Sequence, residues 1–307
     1  MFSLIASDVR RGRRMWCWML VTYVALVAII AASVLYLVGN AAGHGTDTAG
    51  TTDTDTGIKI SASQNGEGES AEAASQEAQS AFATTFMEAD GGPGQSLELS
   101  AIANPFSVLL VLSLFLSVFV SEDFSTGFIR GLLPAGISRR RYYVGKVMTM
   151  LVLTLVWTLL FLALFWASMR LAGFGFQAED PGRLMAWIVL SWLLTFLYVL
   201  LCCVATWFFQ SRLAGVITAC VVAGGIASSL VSTLGGLLRS EAFDAIVQWL
   251  PHQSAMLLGS GGVTRLFQSS LEGVTLAPLA HVSVTVAVGI AMLLAVTLLV
   301  VPHRDIH

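Results

Sequence analysis

Six long, nearly charge-free stretches dominate this chain: Met15 to Val38, Leu99 to Val120, Val147 to Ala172, Leu184 to Phe209, Leu213 to Leu238 and Leu279 to Val301. A helix needs about 20 apolar residues to cross about 30 Å of hydrocarbon, and each stretch meets that requirement. The remaining composition agrees. The chain has 307 residues, of which 56% are hydrophobic and 11% charged. Its mean hydropathy is +0.78, whereas a soluble domain carries about 25% charged residues. The pattern predicts an all-α integral membrane protein with six transmembrane helices.

The first stretch follows Arg10, Arg11, Arg13 and Arg14 and therefore has the beginnings of a signal peptide. Its apolar part is longer than the roughly 7 to 15 residues of a signal h-region, so it reads as a retained first span. The basic residues set the orientation. Segments placed inside hold those four arginines together with Arg130, Arg139, Arg140, Arg141, Lys146, Arg212 and Arg304. The outer segments hold Lys59, Arg170, Arg183, Arg239 and Arg265. The excess of basic residues inside puts both termini in the cytoplasm. The formal net charge of -3 conceals this asymmetry, because many of the acids lie between Asp47 and Glu98 in a single outer loop.

The expected organisation runs as follows. Residues 1–14 form an interfacial helix with an apolar stripe of Phe2, Leu4, Ile5 and Val9, and the first span covers 15–38. An acidic outer loop covers 39–98, with a helix possible over 67–89, where Ala, Glu and Gln predominate. The second span is 99–120, and Asn104-Pro105 is a helix-start signal inside it. A polar, basic segment covers 121–146. Spans three, four and five follow at 147–172, 184–209 and 213–238. Residues 239–278 form an outer interfacial or re-entrant segment, in which Ala242 to Leu250 make an amphipathic turn ending at Pro251 and Val263 to Leu271 a second short helix. The last span is 279–301, and 302–307 is a cytoplasmic tail.

Catalytic chemistry finds little support in the residues. There is no GxxxxGK[ST] and no HExxH. Ser228 and Ser229 lack a companion base. Cys17, Cys202, Cys203 and Cys220 fall in the spans without a CxxC pair and read as packing residues. His281 reads as an interfacial or capping histidine. Few ionisable groups sit at membrane depth, where coupling to a proton or sodium gradient would need them. These features point to a membrane protein that is not an enzyme, binds no cofactor or metal of its own, has no nucleic-acid partner, and draws energy from another chain.

The segment Ser121 to Lys146 carries the most specific signal. It contains Glu122, Gly127, Arg130, Leu132-Leu133, Ser138-Arg139 and Lys146. In this order, between a second and a third span, they resemble the permease subunits of the ABC-2 type transporter family. The six-span plan, the basic helix before the first span and Trp249 to Pro251 before the last extend the similarity to most of the chain, with 39–98 as an outer insertion.

The resemblance implies a half-transporter in a bacterial cell membrane. It would consist of two permease subunits, identical or not, served by two ABC ATP-binding subunits that carry ATP and Mg. The permease would export a hydrophobic, peptide or lipid-like substrate. Glu122, Gly127, Phe128, Arg130, Leu132, Leu133, Ser138, Arg139 and Lys146 would couple it to the ATPase. Phe128 and Leu132 would enter a groove on that partner, while Pro134 and Gly136 turn the chain back. Gly215, Ala219, Ala223 and Gly224 offer a small-residue face for dimer or helix packing. The competing readings are a membrane scaffold or sensor with an acidic outer domain, and an intramembrane enzyme.

Overall fold

A computed structural model describes residues 17–29, 32, 96–97, 100, 106–125, 138–171, 175–176, 179–238, 246–259, 262–267 and 277–300. The expected interfacial helix 1–14, most of the acidic loop with its helix 67–89, Asn104-Pro105 and the tail lie outside these residues, as does the middle of the polar segment, 126–137.

Helices make up nearly all of the described chain. In order they are α1 (Cys17–Ile29), α2 (Phe106–Ser125), α3 (Arg139–Leu171), α4 (Pro181–Phe209), α5 (Arg212–Thr218, continued as a π-helical turn over Ala219–Ala223), α6 (Ile226–Leu238), α7 (Pro251–Gly259), α8 (Gly262–Leu266) and α9 (Pro278–Ala295, continued as a π-helical turn over Val296–Val300). Two two-residue strands, β1 (Ser96–Leu97) and β2 (Gly175–Phe176), pair in parallel with Ser96 opposite Gly175. Among the described residues three helices are long and apolar enough to cross a membrane: Arg139–Leu171, Pro181–Phe209 and Pro278–Leu299, each with an 18-residue stretch of mean hydropathy 2.5. A fourth crossing results if the bent pair Arg212–Ala223 and Ile226–Gly235 counts as one span.

The helix α2 lies at the centre. Leu109, Leu112, Leu116, Phe119 and Val120 are all buried, and so are the polar Ser113 and Ser117 between them. The side chains of Leu110, Val111, Leu114, Phe115 and Val118 are half-buried on the remaining side, and α2 packs on α3, α4 and α5. By contrast, α3 leaves Met148, Val152, Val156, Leu159 and Trp166 exposed at helical spacing. Such an apolar stripe would be a liability in water and is a normal contact with acyl chains. Several hydroxyl groups in the helices are satisfied locally. Thr149, Thr195, Thr206, Thr285 and Thr297 each donate to the carbonyl four residues earlier, which removes most of the penalty for an unpaired donor in hydrocarbon.

Two boundaries differ from the sequence expectation. The polar segment was expected to run to Lys146, but α3 begins at Arg139 and continues for 33 residues. At 1.5 Å per residue it is about 50 Å long, roughly 20 Å more than the hydrocarbon is thick, so its first turns extend beyond the hydrocarbon. The fifth apolar run is not one rod. It bends by 55° after the π-helical turn, where Gly225 has φ +77 and a Cβ would meet the His252 ring at 2.9 Å. A Cβ on Gly224 would strike the carbonyl oxygen of Cys220. Only glycine adopts that left-handed conformation without cost, and here the break depends on it.

Near the opposite end of the helices from Lys146, Pro251 was read as the stop of an amphipathic turn. The turn is present in the hydrogen bonds from Trp249 N to Ile246 O and from Leu250 N to Val247 O, both 3.1 Å. Pro251 then opens α7, since proline has no N–H to lose at the first helical position. The helices α7 and α8 pack on α4 and α9, and the Trp187 indole donates to the Leu258 carbonyl at 3.0 Å.

Candidate functional site: the joint beneath the polar segment

The polar segment leaves the last turn of α2 and returns through the first turns of α3, so these two helix ends form its base. Ser138 caps α3: its hydroxyl accepts from Arg141 N at 3.4 Å, and its carbonyl accepts from Tyr142 N at 3.2 Å. The Ser-Arg pair of the motif thus has a local purpose, because the first N–H groups of a helix lack partners within it. Arg139, Arg140 and Arg141 occupy the first turn, where the helix dipole disfavours positive charge. Topology explains their presence better than helix stability does.

The helix α2 has the complementary irregularity, since Glu122 and Asp123 sit in its last turn, where the dipole disfavours negative charge. Asp123 is fully buried and is held by two groups from α3. Lys146 Nζ lies 2.7 Å from Asp123 Oδ2, with side-chain exposures of 1% and 0%. The Tyr142 hydroxyl donates to the same oxygen at 2.5 Å. The Lys146 ammonium also sits 4.0 Å above the centre of the Phe119 ring of α2, a cation–π contact that replaces part of its lost hydration. Lys146 and Tyr142 are four residues apart, one helical turn, which puts both on the face of α3 that meets Asp123.

The cluster continues outward. Tyr142 meets Tyr143 edge-on at 5.2 Å, and Tyr143 meets Trp207 of α4 at 5.4 Å. On the other side Arg212, the first residue of α5, approaches Ser121 Oγ at 3.4 Å and Glu122 Oε1 at 4.0 Å. The latter pair is largely exposed and contributes at most about 1 kcal/mol. The two-residue turn Gln210-Ser211, with Gln210 at φ 49, brings α4 and α5 back to back. Four helices therefore meet under the polar segment.

Of the residues assigned to coupling, Glu122 is exposed enough to face Arg212, Ser138 is a cap, and Lys146 is buried in the joint rather than presented outward. Gly127, Phe128, Arg130, Leu132 and Leu133 lie outside the described residues. Asp123 and Tyr142, which complete the joint, were not singled out by the sequence. A signal was available: Asp123 is the one acid besides Glu122 within 121–146, and Tyr142 and Lys146 stand at i, i+4 in the same segment.

Three residues of the small-residue face are covered within the chain, and Gly224 is exposed. Gly215, Ala219 and Ala223 are buried, and a Cβ on Gly215 would overlap Thr206 Oγ1 and come within 2.9 Å of Ser117 Cβ. Glycine there lets α5 cross α2 and α4 closely, and on α5 the bulky Leu213 and Ile217 face outward instead. His281, read as interfacial, is buried and lies against Trp249 with ring centroids 4.8 Å apart. Cys202 and Cys203 are buried, while Cys17 and Cys220 are exposed; all four are free. Among the described residues no group of His, Cys, Asp and Glu is arranged to hold a metal ion.

A buried ionic joint at the base of a polar segment, between apolar helices of which several are long enough to cross a membrane, marks a helical membrane protein with a structured linkage between its helix ends. Residues 77–225 match a family model described as ABC-2 family transporter protein. The match covers a little under half of the chain and includes α2, α3, α4, the polar segment and the bend at Gly224-Gly225. Over this stretch the chain is similar to the ABC-2 family transporter proteins, and the match includes Glu122 to Lys146, the residues that carry the resemblance. No curated protein and no solved structure matches the chain.

Proposed function

We propose that this protein is the membrane-spanning subunit of an ABC-2 type exporter in a bacterial cell membrane, driven by ATP hydrolysed on a separate ATP-binding subunit. The observation that carries the proposal is the position of the polar segment. It lies within the matched stretch and stands on the two helix ends locked by Asp123 and Lys146. A segment meant only to anchor the chain in the inner leaflet would need its arginines but not a buried joint beneath them.

In this reading the chain crosses the membrane six times with both termini inside, and two permease subunits pair. The exposed Leu213, Ile217 and Cys220 on α5 supply the paired surface, because Gly215, Ala219 and Ala223 are already covered. The substrate is hydrophobic, peptide-like or lipid-like. Supporting this, a cleft of about 310 Å³ between α3, α4 and α9 is lined by apolar side chains, among them Val144, Leu151, Phe196 and Ile290.

The test is association. The chain, solubilised from its native membrane, co-purifies with an ATP-binding subunit, and Phe128→Asp combined with Leu132→Asp abolishes that association while leaving membrane insertion intact. An unpaired carboxylate placed in an apolar contact costs several kcal/mol, enough to disrupt a docking site of a few residues. Full ATPase binding by the double variant would refute the docking role of the segment.

A further inference from the structure

We propose that the Asp123–Lys146 pair is the joint through which movement of the polar segment reaches the bent helix α5–α6, a positioning role that rests on the permease reading above. The pair is a poor way to gain stability. Removing two charges from water costs several kcal/mol per ion, and apolar residues of similar volume often serve as well or better. An ion pair does offer a fixed distance and direction between two groups. Here it fixes the last turn of α2 against α3 across the gap that residues 126–137 bridge. Tyr142 constrains the carboxylate further by donating to the same oxygen.

The contacts around the pair lead in one direction. On α2 the two residues preceding Asp123, Ser121 and Glu122, both engage Arg212 at the start of α5. From Arg212, α5 runs past the close crossing at Gly215, through the π-helical turn and into the 55° bend at Gly224-Gly225. Single π-helical turns and glycine hinges are places where a helix can change register or direction. A displacement of the α2 end, imposed through the polar segment, would thus be delivered to the base of the one spanning run that is broken among the described residues. Without the pair, the ends of α2 and α3 remain packed by Phe119, Tyr143 and Trp207 but are free to slide, since dispersion contacts have little directionality.

The experiment uses the complex of the chain with its ATP-binding subunit in nanodiscs. Spin labels are placed at Met185→Cys on the exposed side of α4 and at Ser232→Cys on the exposed side of α6, with Cys17 and Cys220 replaced by serine. The probe is ATP with vanadate, which traps the closed ATPase. Expected is a change in the 185–232 distance in the chain with the pair intact. With Asp123→Leu and Lys146→Met together, a substitution that keeps the site packed, the ATPase still assembles and hydrolyses ATP but the distance change is lost.

A full distance change in the double variant would overturn the inference. So would an unmoved label in the intact chain, or loss of ATPase assembly in the double variant, which would make the pair part of the docking site. Failure of the unsubstituted chain to assemble with any ATP-binding subunit would instead overturn the permease reading.

Discussion

Substituting Lys146 by methionine removes one charge from a place where its partner cannot regain water. In the folded chain Asp123 is 0% exposed and its Oδ2 lies 2.7 Å from Lys146 Nζ. At an effective dielectric of 20, a pair at that distance attracts by roughly 6 kcal/mol, which opposes the desolvation of both groups. After Lys146→Met the carboxylate loses the ammonium and retains the Tyr142 hydroxyl, and a hydrogen bond to a charged group contributes about 1.5–3 kcal/mol.

The shortfall is about 3–5 kcal/mol of destabilisation, the usual cost of breaking a buried pair from one side. Replacing both partners, Asp123→Leu with Lys146→Met, removes the stranded charge and is expected to cost far less than the single change. The two substitutions are therefore strongly non-additive. Unfolding of the purified chain in detergent, followed by tryptophan fluorescence with Trp207 close to the site, measures both variants. A Lys146→Met chain within about 0.5 kcal/mol of the unsubstituted protein, the range of an ordinary surface change, would refute the argument, because the pair would then be hydrated.

Other consequences are open to equally direct tests. Ser138→Ala removes the cap of α3 and is expected to cost about 0.5–2 kcal/mol in the same assay, whereas Ser138→Asp retains stability. Gly225→Ala forces a Cβ into a left-handed conformation, about 1–2 kcal/mol unfavourable, and toward the His252 ring at 2.9 Å; proteolysis near the bend should increase, and unchanged protection would show that the bend relaxes. Gly215→Ala drives α5 away from Ser117 and Thr206, whose hydroxyls are tied to Leu114 O and Cys202 O. A loss of about 1–3 kcal/mol is expected for such overpacking. In native membranes, single-cysteine chains should give a crosslinked dimer from the exposed Cys220 and none from the buried Cys202; the reverse pattern would place the subunit interface elsewhere.

The apolar runs were legible because hydrocarbon imposes a length and a composition on anything that crosses it, and both are properties of consecutive residues. Thus α3, α4 and α9 fall where the runs lie. The polar segment was legible for a related reason. Charges excluded from hydrocarbon collect at its edge, and their sign reports the side. The joint was harder to see. Asp123 was not singled out, and Lys146 counted as a positive-inside charge and a coupling residue, since each is ordinary for its place in the sequence. Ser138 was read as a coupling residue, although its hydroxyl is used by the first turn of α3.

Composition and charge order by themselves point to a helical membrane protein and locate its long apolar stretches and the polar segment that resembles the ABC-2 family. These follow from interactions between residues and solvent, which depend on what each residue is. Tertiary structure alone decides that Asp123 meets Lys146, that Gly215 serves a crossing inside one chain, and that the fifth run bends at Gly225. Those outcomes depend on the rotation of each helix about its own axis and on the height at which helices pass one another. Neither quantity is set by hydropathy, because nearly every face of such a helix is apolar; both are fixed only when side chains from distant parts of the chain come into contact.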